Sequence, residues 1–188
     1  MRARKLLNVG LTLAVLVAIV GLYRLTPTQQ DIQDPTPVKG AIGRAVHTPR
    51  FDLTVDEVRA GKKLRIPRAA PDRDSLTAFV VVDATVTANR EPIHIFNVRI
   101  KAADGVTYLG SNRSGLDRVD LTGTEFAPGI PVRGSFVVEM PAEQVPGAVL
   151  QVMEKSAMNE LEPQITVPLG SDPLNVQDVV SLTAASDT

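Results

Sequence analysis

An uninterrupted apolar segment near the N-terminus is the clearest feature of the hydrophobic pattern. Residues 6–23 (LLNVGLTLAVLVAIVGLY) contain no charged side chain. A helix that rises about 1.5 Å per residue would span roughly 27 Å over this length, close to the thickness of a bilayer's hydrocarbon core. The segment is therefore predicted to be a transmembrane helix.

The charges on either side of this segment predict its orientation. Arg2, Arg4 and Lys5 precede it, and Arg24 follows it. Because positive charge favours the cytoplasmic side, residues 1–5 are predicted to be a cytoplasmic stub and the C-terminal part to be extracytoplasmic. A cleaved signal peptide has the same polarity, but the long apolar run and the lack of an Ala-x-Ala-like site favour a retained anchor.

A polar segment, residues 24–42, follows the apolar run. It is rich in Pro, Gln, Asp and Thr. Pro27, Pro35 and Pro37 prevent a helix and favour an extended, polyproline-like backbone. The segment is predicted to be an extracytoplasmic linker that holds a folded domain away from the bilayer.

Residues 43–170 show short β-type runs separated by Gly, Pro, Asp and Asn clusters. Apolar and polar residues alternate over 51–56, which predicts a strand with one buried face, and Val58 marks a bulge or turn. The β-branched residues of 77–87 predict a central, largely covered strand.

The remaining strands are predicted from turn signals. Residues 93–100 and 106–109 flank Asp104-Gly105, a pairing typical of a β-hairpin. Pro128-Gly129 predicts a second turn. Further strands are predicted over 133–140, 147–154 and 164–169, giving about seven strands in all. This spacing indicates an all-β, immunoglobulin-like sandwich.

The C-terminal segment, 171–188, is predicted to be a polar tail. A helix beginning at the Asp-Pro pair of 172–173 would place Val176, Val179 and Val180 on one side. A helix this short needs a tertiary partner, so a tail without regular structure is the alternative.

Composition excludes several kinds of chemistry. The chain has no Cys, which excludes disulfides, lipidation at a cysteine, thiolate catalysis and cysteine metal ligands. An exported domain without disulfides is more typical of a bacterial envelope protein than of a eukaryotic secreted one. The domain is therefore expected to be held by packing.

Charge gives no indication of a nucleic-acid partner. With 17 basic and 21 acidic residues beyond Tyr23, that part of the chain carries a net charge of −4. The basic residues of 62–68 are interrupted by Pro67, followed by Asp72 and Asp74, and lack interleaved aromatics that could stack on bases. They are predicted to lie in a solvated loop.

No group of residues completes a catalytic or metal site. His47 and His94 would need further ligands or an orienting partner, and the serines lack the Gly-x-Ser-x-Gly context of a nucleophile. Four carboxylates could gather around calcium, but their spacing lacks the alternating ligands of a calcium loop. These carboxylates are Asp104, Asp117, Asp120 and Glu125.

The apolar segment carries one stripe of small residues. Gly10, Ala14 and Ala18 recur every four residues, so on a helix they would permit close approach of a second helix. Because Gly and Ala are common in membrane helices, a passive anchor is the alternative to a specific helix partner.

The order of landmarks resembles the telokin-like, immunoglobulin-like domain of unknown function found in bacterial exported proteins, which is related to the immunoglobulin-like secreted antigens of mycobacteria. The resemblance covers residues 40–169. It depends on FDLTVDEV at 51–58, FVVVDATVTAN at 79–89, DGVTY at 104–108, and the Pro-Gly turn with the following strand at 128–140. The resemblance implies an immunoglobulin-like fold placed behind a signal or membrane anchor.

One departure from that family's pattern is Ala88, an apparent insertion before Asn89. The family is known for its fold, so the resemblance implies an accessory, binding or scaffolding role and supplies no catalytic residue. It adds no site to those weighed above.

Taken together, the patterns predict a non-catalytic accessory module, attached to the cell membrane by a single pass, that binds another envelope protein. No cofactor or metal is expected. A sheet face, an edge strand or an end loop would form the contact. The alternative is an exported carrier of a small apolar or lipid ligand, with residues 110–127 covering an opening between the sheets.

Overall fold

The computed structural model describes residues 35–67, 71–111, 116, 119–154 and 162–187, which form mainly β-strands. The strands are β1 (Thr36–Lys39), β2 (Ala45–His47), β3 (Phe51–Arg65), β4 (Arg73–Ala88), β5 (Ile93–His94), β6 (Asn97–Lys101), β7 (Thr107–Leu109), β8 (Glu125–Phe126), β9 (Pro131–Met140), β10 (Val149–Met153), β11 (Pro163–Pro168), β12 (Val176–Ser181) and β13 (Ser186–Asp187). Two short 3-10 turns, Leu121–Gly123 and Ala142–Gln144, lie in the connections.

The predictions for the N-terminal segment concern residues outside this description. They are the stub over 1–5, the transmembrane helix over 6–23 with its stripe of Gly10, Ala14 and Ala18, and the linker as far as residue 34. Among the residues that the structure describes, no helix is long and apolar enough to cross a membrane.

Two sheets pack face to face. One, the five-stranded sheet, has the order β1-β11-β10-β6-β7; the other, the six-stranded sheet, has the order β12-β3-β4-β9-β13, with β2 also paired to β3. The chain forms β3 and β4 in the six-stranded sheet, crosses to β6 and β7, returns with β9 and crosses again to β10 and β11. This is the Greek-key order of an immunoglobulin-like sandwich, and the predicted all-β sandwich is confirmed.

The main core fills the space between the sheets. Val80 and Val82 of β4 and Phe136 of β9 contribute from the six-stranded sheet, and Leu150 and Ile165 from the five-stranded one; all five are fully buried. Each such side chain contributes roughly 1.5–3 kcal/mol through burial. Alternation along the strands supplies one core residue at every second position.

A second core lies on the opposite face of β4. It contains Phe79 and Val81, the neighbours in sequence of the main-core valines, and it includes Val180 of β12 and Leu116 from the segment before β8. Both faces of β4 are therefore covered from Ala78 to Ala84, and the predicted central, largely covered strand is confirmed. This second core holds Leu116, and Val180 and Leu182 in and after β12, against the six-stranded sheet.

The two predicted turns have the expected geometry. Gly105 has φ +92°, and Asp104 Oδ1 accepts a hydrogen bond from the Val106 N–H at 2.9 Å, which closes the hairpin of β6 and β7. Gly129 has φ +75° and precedes β9. At both positions a side chain would strain the left-handed backbone. The predicted feature at Val58 is an irregularity within β3, whose register shifts on either side of it.

The structured domain begins earlier than predicted. Thr36–Lys39, assigned from the sequence to the linker over 24–42, is strand β1 and pairs in parallel with β11. Thr36 and Gly40 donate backbone N–H groups to Glu162 and Thr166. Pro37 lies between these donors on an edge strand, where its missing N–H breaks no bond of the sheet. The proline-rich composition therefore did not exclude a strand.

The domain also ends later than predicted, because Val176–Ser181 is strand β12. It pairs in parallel with β3, so the short helix proposed for the tail over 171–188 is wrong. In a strand, Val179 and Val180 point to opposite faces, and only Val180 is fully buried. Residues distant in sequence complete the second core, and the burial of Val180 in that core favours a strand over a helix.

The basic residues near position 62 do not form a loop. Lys63 and Arg65 belong to β3. Lys63 forms an ion pair with Asp74 of β4 (3.2 Å), and Arg65 forms one with Asp72 (3.1 Å), which precedes β4. These pairs are exposed and screened by solvent, so they contribute little to the stability of the domain.

Candidate functional site

The two histidines each contact one carboxylate. His47 Nδ1 lies 2.9 Å from Asp52, and His94 Nε2 lies 4.0 Å from Glu125, while the His94 ring stacks on Phe96 at a centroid distance of 5.4 Å. Within the described ranges, no cluster of three or more His, Cys, Asp or Glu side chains could hold a metal ion. The histidines are best explained as surface residues in local pairs.

The carboxylates considered for calcium have separate local roles where the structure describes them; Asp117 lies outside the described residues. Asp120 caps the turn Leu121–Gly123 by accepting from the Thr122 and Gly123 N–H groups. Asp104 closes the β6–β7 hairpin, and Glu125 faces His94. Asp104 and Asp120 stabilise turns, and Glu125 belongs to a cross-strand pair.

Arg50 joins two segments that are distant in sequence. Its guanidinium donates from Nε to Glu154 Oε2 at 2.7 Å and from a second nitrogen to Oε1, and it also contacts Glu91. The hydrogen bonds to Glu154 raise the pKa of Arg50 above its ordinary value. Glu154, which follows β10, is buried. The bidentate contact with Arg50 therefore compensates the buried negative charge of its carboxylate.

A second buried carboxylate, Asp83, lies on the outer face of the six-stranded sheet. It accepts hydrogen bonds from Arg59 Nε at 3.0 Å and from the Ser135 hydroxyl, and Ser135 Oγ accepts from the Thr183 N–H at 2.9 Å. The network links β3, β4 and β9 to the segment after β12. Its groups are mutually satisfied, which makes it a structural network.

A groove of about 340 Å³ lies beside the start of β4. Its apolar lining includes Ala78, Pro141 and Val176, and Leu76 at its rim is fully exposed. Lys62 and Glu143 also line it. This small apolar surface is bordered by one cation and one carboxylate.

The outer face of the five-stranded sheet is a further candidate surface. The strand registers place Leu109, Arg99, Gln151, Thr166 and Lys39 opposite one another in a single row across all five strands. At about 4.8 Å between strands, this row is roughly 19 Å long. Arg99 Nε donates to Gln151 Oε1 at 2.7 Å, and Leu109 is 68% exposed.

A second row lies beside the first and contains Thr107, Lys101, Val149 and Pro168. The two rows together hold three cations, Lys39, Arg99 and Lys101, and no carboxylate. We call these nine positions the basic face. The row on the opposite side of the first row contains Met153 and Gln164. Both residues are buried, so the exposed surface ends there.

The sequence alone did not reveal the basic face. The alternation over 97–101 indicates that Arg99 and Lys101 lie on the same side of a strand, and this was the one sequence signal for the basic face. Lys39 is more than 50 positions away from Arg99 and was assigned to the linker. Only the register through β11 and β10 brings it onto the same surface.

Comparison with known sequences gives no assignment: no protein-family model matches this chain, and no curated protein matches it. The resemblance to the telokin-like family of exported proteins therefore stays a prediction.

Comparison with solved structures shows similarity at the level of the fold. An uncharacterized β-sandwich protein of Clostridium difficile aligns with a TM-score of 0.50 and 9% identity, over 76% of this chain and 98% of that one. A secreted protein of Mycobacterium tuberculosis, MPT63, has a TM-score of 0.49 and 15% identity over 72% and 99% of the two chains. The YjhA protein of Bacillus subtilis has a TM-score of 0.49 and 12% identity over 68% and 98%. The alignment with the Clostridium difficile protein supports the β-sandwich fold, and at 9% identity it says nothing about activity.

Proposed function

We propose that this chain is a non-catalytic binding module, held outside the cytoplasm by an N-terminal membrane anchor, whose basic face engages another protein of the cell envelope. The observation that supports this most directly is the row from Leu109 to Lys39. It crosses a whole sheet and is supported by the buried main core. Sites built on the strands of a scaffold are held more precisely than sites on loops.

The size of the basic face suits a transient contact. Its longer dimension is about 19 Å across the strands, which corresponds to the smaller class of protein interfaces. Interfaces of that class are formed and released readily, as expected of an accessory module. Leu109 supplies an exposed apolar contact at one end of the row, and Gln151 and Thr166 supply hydrogen-bonding groups at its centre.

The anchor in this proposal depends on the uncharged run of residues 6–23 and the cations before it. N-terminal sequencing of the mature protein tests it, because a retained anchor leaves residues 1–23 in place. Resistance of the membrane-bound protein to alkaline extraction is the second expected result. A mature N-terminus beyond residue 23 would overturn the anchor and leave the binding module in place.

Site-specific photo-crosslinking in intact cells tests the binding face. A photoreactive amino acid at Gln151 or Thr166, in the middle of the first row, should give one discrete crosslinked protein. The matched control is the same amino acid at Thr54, which is half-buried on the outer face of the six-stranded sheet. The expected result is a crosslink from the basic face and none from Thr54.

Failure of this test has a defined form. If both basic-face positions give no protein adduct although the variants fold and are exported, the proposed function is wrong. Equal adducts from Thr54 and Gln151 would also overturn it, because they would indicate random collisions.

Exchange of residues 6–23 for an unrelated anchor should leave the crosslink unchanged if the stripe of Gly10, Ala14 and Ala18 is passive.

The alternative of an apolar-ligand carrier has less support. It requires residues 110–127 to cover an opening, yet Leu116, Leu121 and Phe126 from that segment are fully buried in the two cores. These side chains occupy the positions that a movable cover would have to vacate. Native mass spectrometry of the extracted full-length chain tests the carrier, since a co-purifying lipid at one fixed stoichiometry would favour it.

A further inference from the structure

We infer that the partner of the basic face is an acidic protein surface. This inference depends on the proposed function and adds the chemical class of the partner. The cations are placed at both ends of the surface: Lys39 lies three strands from Arg99, about 14 Å away, and Lys101 is two positions along β6 from Arg99. The groups between them, Gln151 and Thr166, are uncharged.

None of these cations is neutralised by a carboxylate in the described part of the chain. Lys39 and Lys101 are exposed and form no ion pair there, and the guanidinium of Arg99 bonds to the neutral Gln151. The carboxylates nearest to the face along the chain are engaged elsewhere. Asp104 closes its own hairpin, and Glu154 is buried against Arg50.

The outer face of the other sheet shows the opposite arrangement. There Arg59 bonds to Asp83, and Arg133 lies 3.6 Å from Asp56. The chain beyond residue 23 is acidic overall, at −4, so three cations without a carboxylate form a local charge of opposite sign. Such a patch favours encounter with an acidic partner.

The arrangement favours a protein over an anionic bilayer. Polybasic segments that bind anionic lipids have about four to eight clustered cations, more than the three here. An interfacial membrane contact also needs a broad apolar side, and Leu109 is the one large, strongly exposed apolar residue of the two rows. The uncharged polar groups at the centre suit hydrogen bonding to a protein surface, since interfaces combine such bonds with a charged rim.

The test compares two charge reversals of equal size. The first double variant, Lys39→Glu with Lys101→Glu, reverses two charges on the basic face. Arg44→Glu with Lys62→Glu makes the same change in net charge at exposed positions away from it. Photo-crosslinking from Gln151 should fall by about tenfold or more in the first variant, because two favourable contacts become repulsive, and by less than about twofold in the control. Equal thermal unfolding midpoints verify that both variants fold.

A defined probe distinguishes a protein from a lipid partner. The full-length chain in phosphatidylcholine vesicles should bind fluorescent poly-L-glutamate, and binding should weaken with added salt and in the basic-face variant but not in the control variant. In parallel, fluorescent phosphatidylglycerol vesicles should not be recruited. Recruitment of these vesicles that the basic-face variant abolishes would overturn the inference in favour of an anionic bilayer.

The other outcomes separate the inference from the function on which it depends. If the wild-type crosslink forms and the basic-face variant gives the same crosslink, the inference of an acidic partner is wrong, whereas the proposed binding function is retained. If the wild-type chain gives no crosslink from Gln151 or Thr166, the proposed function itself is wrong. Loss of the crosslink in both charge variants would also reject the basic face, because the effect would then follow net charge and not position.

Discussion

Arg59 of β3 and Asp83 of β4 are joined by two hydrogen bonds from the guanidinium to a single carboxylate oxygen, on a sheet face that a later part of the chain covers. Asp83 is 5% exposed, and its other oxygen accepts from Ser135. The pair is therefore one part of a network that also orients Thr183 after β12. A charged network buried in this way favours a single register of the surrounding strands.

Asp83→Ala should destabilise the domain by about 3 kcal/mol, since it leaves the Arg59 charge and the Ser135 hydroxyl without their acceptor. The matched control is Asp56→Ala, which removes a more exposed carboxylate beside Arg133 and should cost about 1 kcal/mol or less. Urea unfolding followed by circular dichroism measures both. Equal losses in the two variants would show that burial of the network does not determine its contribution.

The opposite faces of β12 give a second prediction. Val180→Ala removes two methyl groups from the second core and should cost about 2 kcal/mol. Val179→Ala, at the adjacent and less buried position, should cost less than about 1 kcal/mol. Chemical unfolding of the two variants checks this. A helix would place both valines on one side, so similar losses would contradict the strand.

A third prediction concerns Gly134 of β9, which lies under the segment before β8 and the segment before β13. A Cβ at this position would lie 2.8 Å from Leu121 Cδ2 and 3.1 Å from Ala185 Cα. Gly134→Ala should therefore cost about 1–3 kcal/mol through overpacking. Adding Leu121→Ala should restore only part of the loss, because the contact with the Ala185 backbone remains. Complete restoration would show that Leu121 alone limits the space.

The sequence predicted those parts of the fold whose signals are local. The Val80–Val82 run identifies the central strand, and Asp104-Gly105 identifies a hairpin, because each depends on neighbouring residues. Strand β12 could not be recognised in this way. It pairs Val176 with Ala60, which is distant in the chain, and its apolar spacing fits a helix as well as an edge strand.

The candidate site was less predictable than the fold for the same reason. A sheet face is formed by residues that the register brings together, and Lys39, Arg99 and Lys101 come from two strands at opposite sides of one sheet. The sequence shows three separate cations. Their position on one face, and the absence of a carboxylate among the described residues of those rows, follow only when the pairing of β1, β11, β10 and β6 is known.

The last prediction concerns the Arg50–Glu154 pair, which fixes the end of β10 to the residue that precedes β3. Arg50→Ala should destabilise the domain by about 1–3 kcal/mol, since it removes the partner of the buried Glu154 carboxylate, while the partly exposed position of Arg50 lets water replace some of the lost contact. Glu154→Gln in the same chain should recover a large part of that loss by removing the buried charge. A double-mutant cycle by urea unfolding measures the coupling. If the losses in free energy of unfolding of the two single variants add up to that of the double variant, Arg50 and Glu154 are not coupled. The exposed contact of Arg50 with Glu91 would then account for the effect of Arg50→Ala.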